Sequence, residues 1–224
     1  MLWEAEVKFV LSFSGGKDSI HALHTLVRQG HEPVALLVMT NRQHERSWTH
    51  GMDMELLQDV AAALEIPLLC CSSTAEHYER SMEQGLRRAK ELGAAACAFG
   101  DIDIQAHREW DEARCSAAGL EALLPLWGGD RYELSRHVVE LGYTCLVKSV
   151  RKGVLPESFL GQALSLELLE EMRSRGVDPC GENGEYHTVA VNGPLFRRPV
   201  RVENKGKISM RLITAADLTV CYRK

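Results

Sequence analysis

Val7-Lys8-Phe9-Val10-Leu11-Ser12-Phe13-Ser14-Gly15-Gly16-Lys17-Asp18-Ser19-Ile20 is the stretch on which the fold turns. Its first half is apolar and β-favouring, two glycines follow, and Ile20, Leu23 and Val27 then recur at helical spacing, so the segment reads strand, glycine loop, helix. Gly30 stands where a helix C-cap belongs, and residues 33–40 read as a second buried strand. The unit repeats. Leu56, Leu57, Val60, Ala61 and Leu64 mark a second helix face, and residues 66–72 a third strand. Tyr78, Met82, Leu86 and Ala89 mark a third helix, and residues 94–99 a strand that closes on Gly100-Asp101. A helix near residues 103–118 and a strand at 123–127 complete the series. Strands apolar on both faces, alternating with helices, predict an α/β fold with a parallel sheet covered on both sides over residues 1–126.

The pattern then changes. Asp130-Arg131-Tyr132-Glu133 has the acidic N-cap and N3 glutamate of a helix start, with Leu134, Val138 and Leu141 as its stripe. Residues 143–150 read as a strand and 166–173 as a helix. A polar run follows, Asp178-Pro179-Cys180-Gly181-Glu182-Asn183-Gly184-Glu185-Tyr186-His187-Thr188. Beyond it come short strands, with hairpin chemistry at Asn192-Gly193 and Asn204-Lys205-Gly206. Residues 127–224 therefore form a second, smaller, mixed α/β domain with an antiparallel end.

With 224 residues, 45% hydrophobic and 25% charged, the composition is that of a globular protein, and the length is not expected to leave room for an appended glutaminase or tRNA-binding module. Lys plus Arg is 26 and Asp plus Glu is 31, and the net charge of -5 argues against a broad phosphate-neutralising surface, so a nucleic-acid partner is disfavoured. Apolar runs fall far short of the roughly 18 to 20 residues a membrane span needs, and no export signal opens the chain, so it reads as cytoplasmic. Seven cysteines without a C-x-x-C pair speak against a disulfide framework or a zinc site.

Adjacent glycines leave no Cβ between backbone and ligand, so the loop can aim amide N–H groups at phosphate oxygens where a helix begins. Lys17 adds a point charge, and Ser14 and Ser19 add hydroxyl donors. Asp18 repels bare phosphate and fits there through Mg2+ or as a helix cap. The G-x-x-x-x-G-K-[ST] and G-x-G-x-x-G fingerprints are absent. Ser14-Gly15-Gly16-Lys17-Asp18-Ser19 instead resembles the pyrophosphate loop of the N-type ATP pyrophosphatases, which cut ATP between the α and β phosphates.

Ser47-Trp48-Thr49-His50-Gly51, Gly100-Asp101-Ile102, Pro125-Leu126-Trp127, Ser158-Phe159-Leu160-Gly161 and residues 178–188 narrow the match. Together they resemble the diphthine ammonia ligase-like ATP-binding proteins over nearly the whole chain. The resemblance implies a Rossmann-like, adenine nucleotide alpha hydrolase-like domain at residues 1–126 and a substrate-binding domain at 127–224. It implies a ligase that adenylates a carboxylate, on a small molecule or a protein side chain, and transfers ammonia with release of AMP and pyrophosphate. It assigns ATP to Ser12, Ser14, Gly15, Gly16, Lys17, Asp18, Ser19, Met39, Gly100 and Asp101, with Asp18 holding Mg2+. Glu182, Glu185 and His187 become the groups that bind and deprotonate ammonium, and His50, Asn183 and Thr188 those that orient the substrate. The residues alone leave another reading open for this run, in which the glutamates cap loop amides and His187 begins a strand. Asn183 and His187 depart from the G-E-G-G-E-Y-E-T form of ligases acting on diphthine, and Gln162 replaces an arginine common after Phe-Leu-Gly.

An RNA-modifying ATP pyrophosphatase and a non-catalytic ATP- or AMP-binding sensor are the competing readings, and a homodimer is compatible with each. His44 reads as solvated, Arg114 as a surface charge, Trp110 and Trp127 as core, and Lys148 as solvent-exposed. Cys180 reads as structural, without a partnered base.

Overall fold

The computed structural model describes residues 6–43, 46–48 and 51–221. In chain order the elements are β1 (Lys8–Ser12), α1 (Lys17–Arg28), β2 (Glu32–Asn41), β3 (Arg46–Ser47), α2 (Met54–Leu64), β4 (Leu68–Ser73), α3 (Tyr78–Glu91), β5 (Ala96–Ala98), α4 (Gln105–Ala118) and β6 (Glu121–Leu123). Then come α5 (Arg131–Glu140), β7 (Thr144–Arg151), α6 (Leu166–Ser174), β8 (Tyr186–Asn192), β9 (Val202–Ser209) and β10 (Ile213–Val220). The chain forms two compact units: Met1–Ser14, Asp18–Met54 and Glu65–Gly128 in one, Gly15–Lys17, Glu55–Leu64 and Gly129–Lys224 in the other.

The first unit is the expected α/β layer. β4, β2, β1, β5 and β6 lie side by side and all pair in parallel. β2 gives one edge to β4 as far as Asn41, whereas β1 leaves the other edge after Leu37, and there Thr40 and Asn41 pair antiparallel with β3. Val10, Leu37, Cys97 and Phe99 of the sheet pack with Met82, Leu86 and Ala89 of α3 and with Cys115 and Ala118 of α4. Full burial of a large apolar side chain is worth about 1.5–3 kcal/mol, which is what holds this layer together. Strand order reverses between β1 and β5, and such a switch point opens a crevice at the carboxyl ends of the strands. Gly100 closes that crevice on one side. A Cβ there would meet Asp18 C at 2.9 Å and Ser19 N at 3.0 Å, so the end of β5 lies directly on the first turn of α1.

The strand expected at 123–127 ends early: β6 stops at Leu123, and Trp127 N–H closes a turn onto Leu124 O at 3.1 Å. Pro125 explains it, since it has no N–H to give the ladder.

The second unit carries an antiparallel sheet in the order β8-β7-β10-β9. Asp130 caps α5 as its sequence requires, accepting from Glu133 N at 2.9 Å, and Ser165 caps α6 through Leu168 N at 3.2 Å. Within this unit Arg198 grips Asp59 of α2 with two bonds of 3.0 and 2.6 Å.

Two turn readings are corrected. Asn204-Lys205-Gly206 lies inside β9, where the register against β10 slips and Gly206 N–H donates to Asn204 Oδ1 at 3.1 Å. The local Asx bond that would have served a hairpin serves a bulge instead. Asn192-Gly193 ends β8 without making a hairpin, because β8 pairs with β7 and β9 with β10. Lys148 is also corrected: it is 1% exposed and donates to Ala216 O, because it occupies a bulge in β7, an interior strand.

Gly100→Ala is expected to lower stability by about 1–3 kcal/mol, the usual cost of forcing an extra carbon into a packed site. Urea unfolding at constant m-value measures it.

Candidate active site

The glycine turn between β1 and α1 is built from opposed demands. Gly15 sits at φ +79, a conformation L side chains rarely adopt, and the turn delivers Lys17 as the first residue of a helix. Within the second unit this turn is fastened to β8. Lys17 N–H donates to Thr188 Oγ1 at 2.9 Å, and Ala190 N–H donates to Gly15 O at 2.8 Å. Lys17 is 2% exposed, its Nζ 3.6 Å from Cys180 Sγ and 5.8 Å from the centre of the Tyr186 ring. Cys180, expected to lack a partnered base, faces an ammonium group, which is not one. Placing that charge in the interior is costly unless it is compensated, and a soft sulfur and a ring face supply part of the compensation.

The glycine- and glutamate-bearing loop is held from several sides. Asp178 Oδ2 accepts from Arg131 at 2.5 Å and its Oδ1 from Cys180 N at 2.8 Å. Tyr186 OH donates to Pro179 O. The buried Glu185 accepts from Asn183 N at 3.0 Å and from Asn183 Nδ2 at 3.1 Å, while its own carbonyl accepts from Arg151 N at 2.8 Å. Glu182 is half-buried and Asn183 exposed. His187 follows Tyr186 in β8, opposite Ser149 of β7, and alternation points it away from the face shared by Tyr186 and Thr188. The second unit thus brings together Gly15, Gly16, Lys17, Thr188 and the loop that carries Glu182 and Glu185.

In the first unit, Ser12 ends β1, and Met39 lies in the part of β2 that passes it. Ser14 Oγ donates to Ser19 Oγ at 3.3 Å. Asp101 follows Gly100 and has His107 Nδ1 2.9 Å from its Oδ1. Burial raises the Asp101 carboxyl, His107 opposes this, and the charge of Asp18 adds to it. Sequence reasoning missed Asp111. It is 4% exposed on α4, and its carboxyl is pushed up to about 9, first by burial and then by the charges of Asp101 and Cys115. The signal was present in the spacing: His107, Asp111 and Cys115 are four apart and share one helix face with Asp101 just before it. Arg131 was missed for the opposite reason, since nothing local links it to Asp178.

His44 and His50 lie outside the described residues. Arg114 pairs with Glu79 at 2.8 Å and Glu83 at 3.2 Å, and Arg108 pairs with Glu112 at 2.7 Å while lying over the Trp127 ring. Trp110 is half-buried against the core of the first unit. Among the described residues no helix is long and apolar enough to cross a membrane.

Residues 7–122 match the family model described as the diphthamide synthase N-terminal domain, and residues 130–214 the one described as the diphthamide synthase C-terminal domain. The chain is similar to the diphthine–ammonia ligase of Danio rerio, with 28% identity over 216 residues, 85% of this chain and 84% of that protein. It is 26% identical over 217 residues to the diphthine–ammonia ligase of Homo sapiens, covering 85% of this chain and 81% of that protein. The Schizosaccharomyces pombe protein of the same name is 26% identical over 239 residues, 94% of this chain but 38% of its own length.

Asp111 binds its proton more tightly folded than unfolded, so its contribution to stability is complete below about pH 4 and is lost as pH rises toward about 9. Asp111→Asn keeps a neutral donor at every pH. Its melting temperature is expected to exceed that of the wild type by little at pH 5 and by much more at pH 8.5. A lower value at both would show that the carboxyl is held ionised.

Proposed function

Since this chain belongs to the diphthamide synthase family, we propose that it is an ATP-dependent ligase that forms an amide from a carboxylate and ammonia. The observation that carries the reading is the fastening of the glycine turn to the strand that follows the glutamate loop, through Lys17 N–H to Thr188 and Ala190 N–H to Gly15 O. ATP is a co-substrate in this scheme. The relatives named above are ligases acting on diphthine, and diphthine, or another acid that presents a carboxylate in the same way, is the substrate proposed.

A carboxylate is a poor acyl donor because its leaving group would be oxide. One carboxylate oxygen attacks the α phosphorus, the bond to the bridging oxygen breaks, and pyrophosphate leaves. Ammonia then attacks the acyl carbon, AMP leaves, and the proton shed by nitrogen must be accepted. Gly15, Gly16 and Lys17 hold the departing phosphates, with Ser12, Ser14 and Ser19 as hydroxyl donors. Met39, Gly100 and Asp101 serve the nucleoside side. Asp18 would hold Mg2+, an oxygen-seeking ion whose charge would relieve the repulsion between Asp18 and Asp101, which adds to the larger effect of burial in raising the Asp101 carboxyl. Glu185 and Glu182 bind ammonium and take its proton, and Asn183 and Thr188 orient the acid, with Asn183 also holding Glu185 in place. His187 and His50 take the lesser parts, proton acceptance and substrate contact. Residues 1–126 act as the ATP-binding domain and 127–224 as the substrate domain. Positioning can supply on the order of 7–11 kcal/mol and one general base about 10²- to 10⁴-fold, so the turn outweighs any single proton acceptor.

Exchange of labelled pyrophosphate into ATP, dependent on an added acid, tests the reading. Lys17→Ala is expected to abolish exchange and weaken ATP binding. Glu185→Gln is expected to keep ATP affinity within about twofold while amide formation falls about 10²-fold or more. Exchange with no acid of any class, diphthine included, would overturn it.

A further inference from the structure

Beyond β1 the carboxyl ends of β2 and β4 border a cleft of about 740 Å³ lined by Thr40, Asn41, Ser72, Arg42, Arg46 and Asp53. Met54 also lines it, but the other lining side chains are polar or charged, which suits a small charged group. Asp53 lies 3.0 Å from Arg46, and Arg46 NH1 points to Gly51 O at 3.5 Å, so this guanidinium is held in place at the mouth. Arg42 makes no ion pair and no side-chain hydrogen bond among the described residues. Asn41 Oδ1 accepts from Gln43 N at 2.9 Å, which leaves its amide N–H groups for other partners. Two guanidinium groups against one carboxylate give the cleft a formal charge of +1 in a chain whose total is -5. Guanidinium forks match the planar pair of oxygens on carboxylates and phosphates.

We propose that this cleft binds an oxyanion, a carboxylate or phosphate group, at the end of the acid substrate remote from the carboxyl that becomes the amide, so that of the acids proposed above this chain takes one with a second anionic group, which diphthine lacks. Arg42 and Arg46 grip it, with the Thr40 and Ser72 hydroxyls as further donors. The cleft lies on the same carboxyl edge of the sheet from which β1 runs into the phosphate turn, and two strand spacings of about 4.8 Å separate β4 from β1. This inference rests on the ligase reading for the identity of its ligand, though not for the binding itself.

The test is calorimetric titration of the full chain, saturated with α,β-methylene ATP, by inorganic phosphate and separately by succinate. The wild type is expected to bind at least one of the two, phosphate preferred pointing to a phosphorylated acid and succinate preferred to a dicarboxylic one. Arg42→Gln, an exposed position, is expected to weaken that binding about tenfold or more. Arg46→Lys, which keeps the charge beside Asp53 but loses the fork, should weaken it several-fold, and both variants should leave affinity for the ATP analogue within twofold. Absence of anion binding, anion binding untouched by Arg42→Gln, or a tenfold loss of analogue affinity in that variant would each overturn the proposal. Pyrophosphate exchange separates the two readings. Exchange driven by diacids and unaffected by Arg42→Gln defeats this inference alone, whereas anion binding at Arg42 without exchange for any acid defeats the ligase reading alone.

Discussion

Two hydrogen bonds centred on backbone atoms, Lys17 N–H to Thr188 Oγ1 and Ala190 N–H to Gly15 O, set the position of the glycine turn on which the remaining chemistry depends. A turn without side chains bends easily, and that freedom is a liability if it has to hold a triphosphate in one orientation. Fastening it at both ends to β8 removes the freedom before any ligand arrives, so less ordering cost falls on binding. The same strand begins immediately after Glu185, and one segment therefore fixes the turn and the glutamate loop together.

The charge arrangement follows from that fastening. Lys17 is buried, and its ammonium rests between the Cys180 sulfur and the Tyr186 ring. Each of these partners is itself tied down, Cys180 N–H to Asp178 and Tyr186 OH to Pro179 O. Asp178 is in turn gripped by Arg131 at the start of α5. In the first unit the polar interior is arranged differently: Asp101 takes His107, and the neighbouring Asp111 avoids repulsion by keeping its proton.

Most of the architecture was legible because it is written in short-range pattern. The apolar run of β1, the glycine pair and the stripe of α1 each declare themselves within a dozen residues, and so does the cap Asp130. The misreadings share a cause. Asn204-Lys205-Gly206 has the local chemistry of a hairpin, but whether an Asx bond closes a turn or a bulge is decided by the partner strand β10. Lys148 looks like a surface lysine until β7 is known to lie inside its sheet. At the candidate site, Glu185 and Lys17 were found from motif, while the links from Lys17 to Cys180 and from Arg131 to Asp178 join residues far apart in the chain and leave no trace in spacing. Asp111 stands between these cases, visible as a periodic polar position yet interpretable only when Asp101 is seen beside it.

In the proposed scheme the turn at Gly15, Gly16 and Lys17 holds the β and γ phosphates and leaves the α phosphorus open to an incoming carboxylate. A crystal structure of the protein with α,β-methylene ATP and Mg2+ tests it most directly. Phosphate oxygens are expected within hydrogen-bond distance of the turn's amides and of Lys17 Nζ. A triphosphate lying elsewhere, with Lys17 still directed at Cys180, would contradict it.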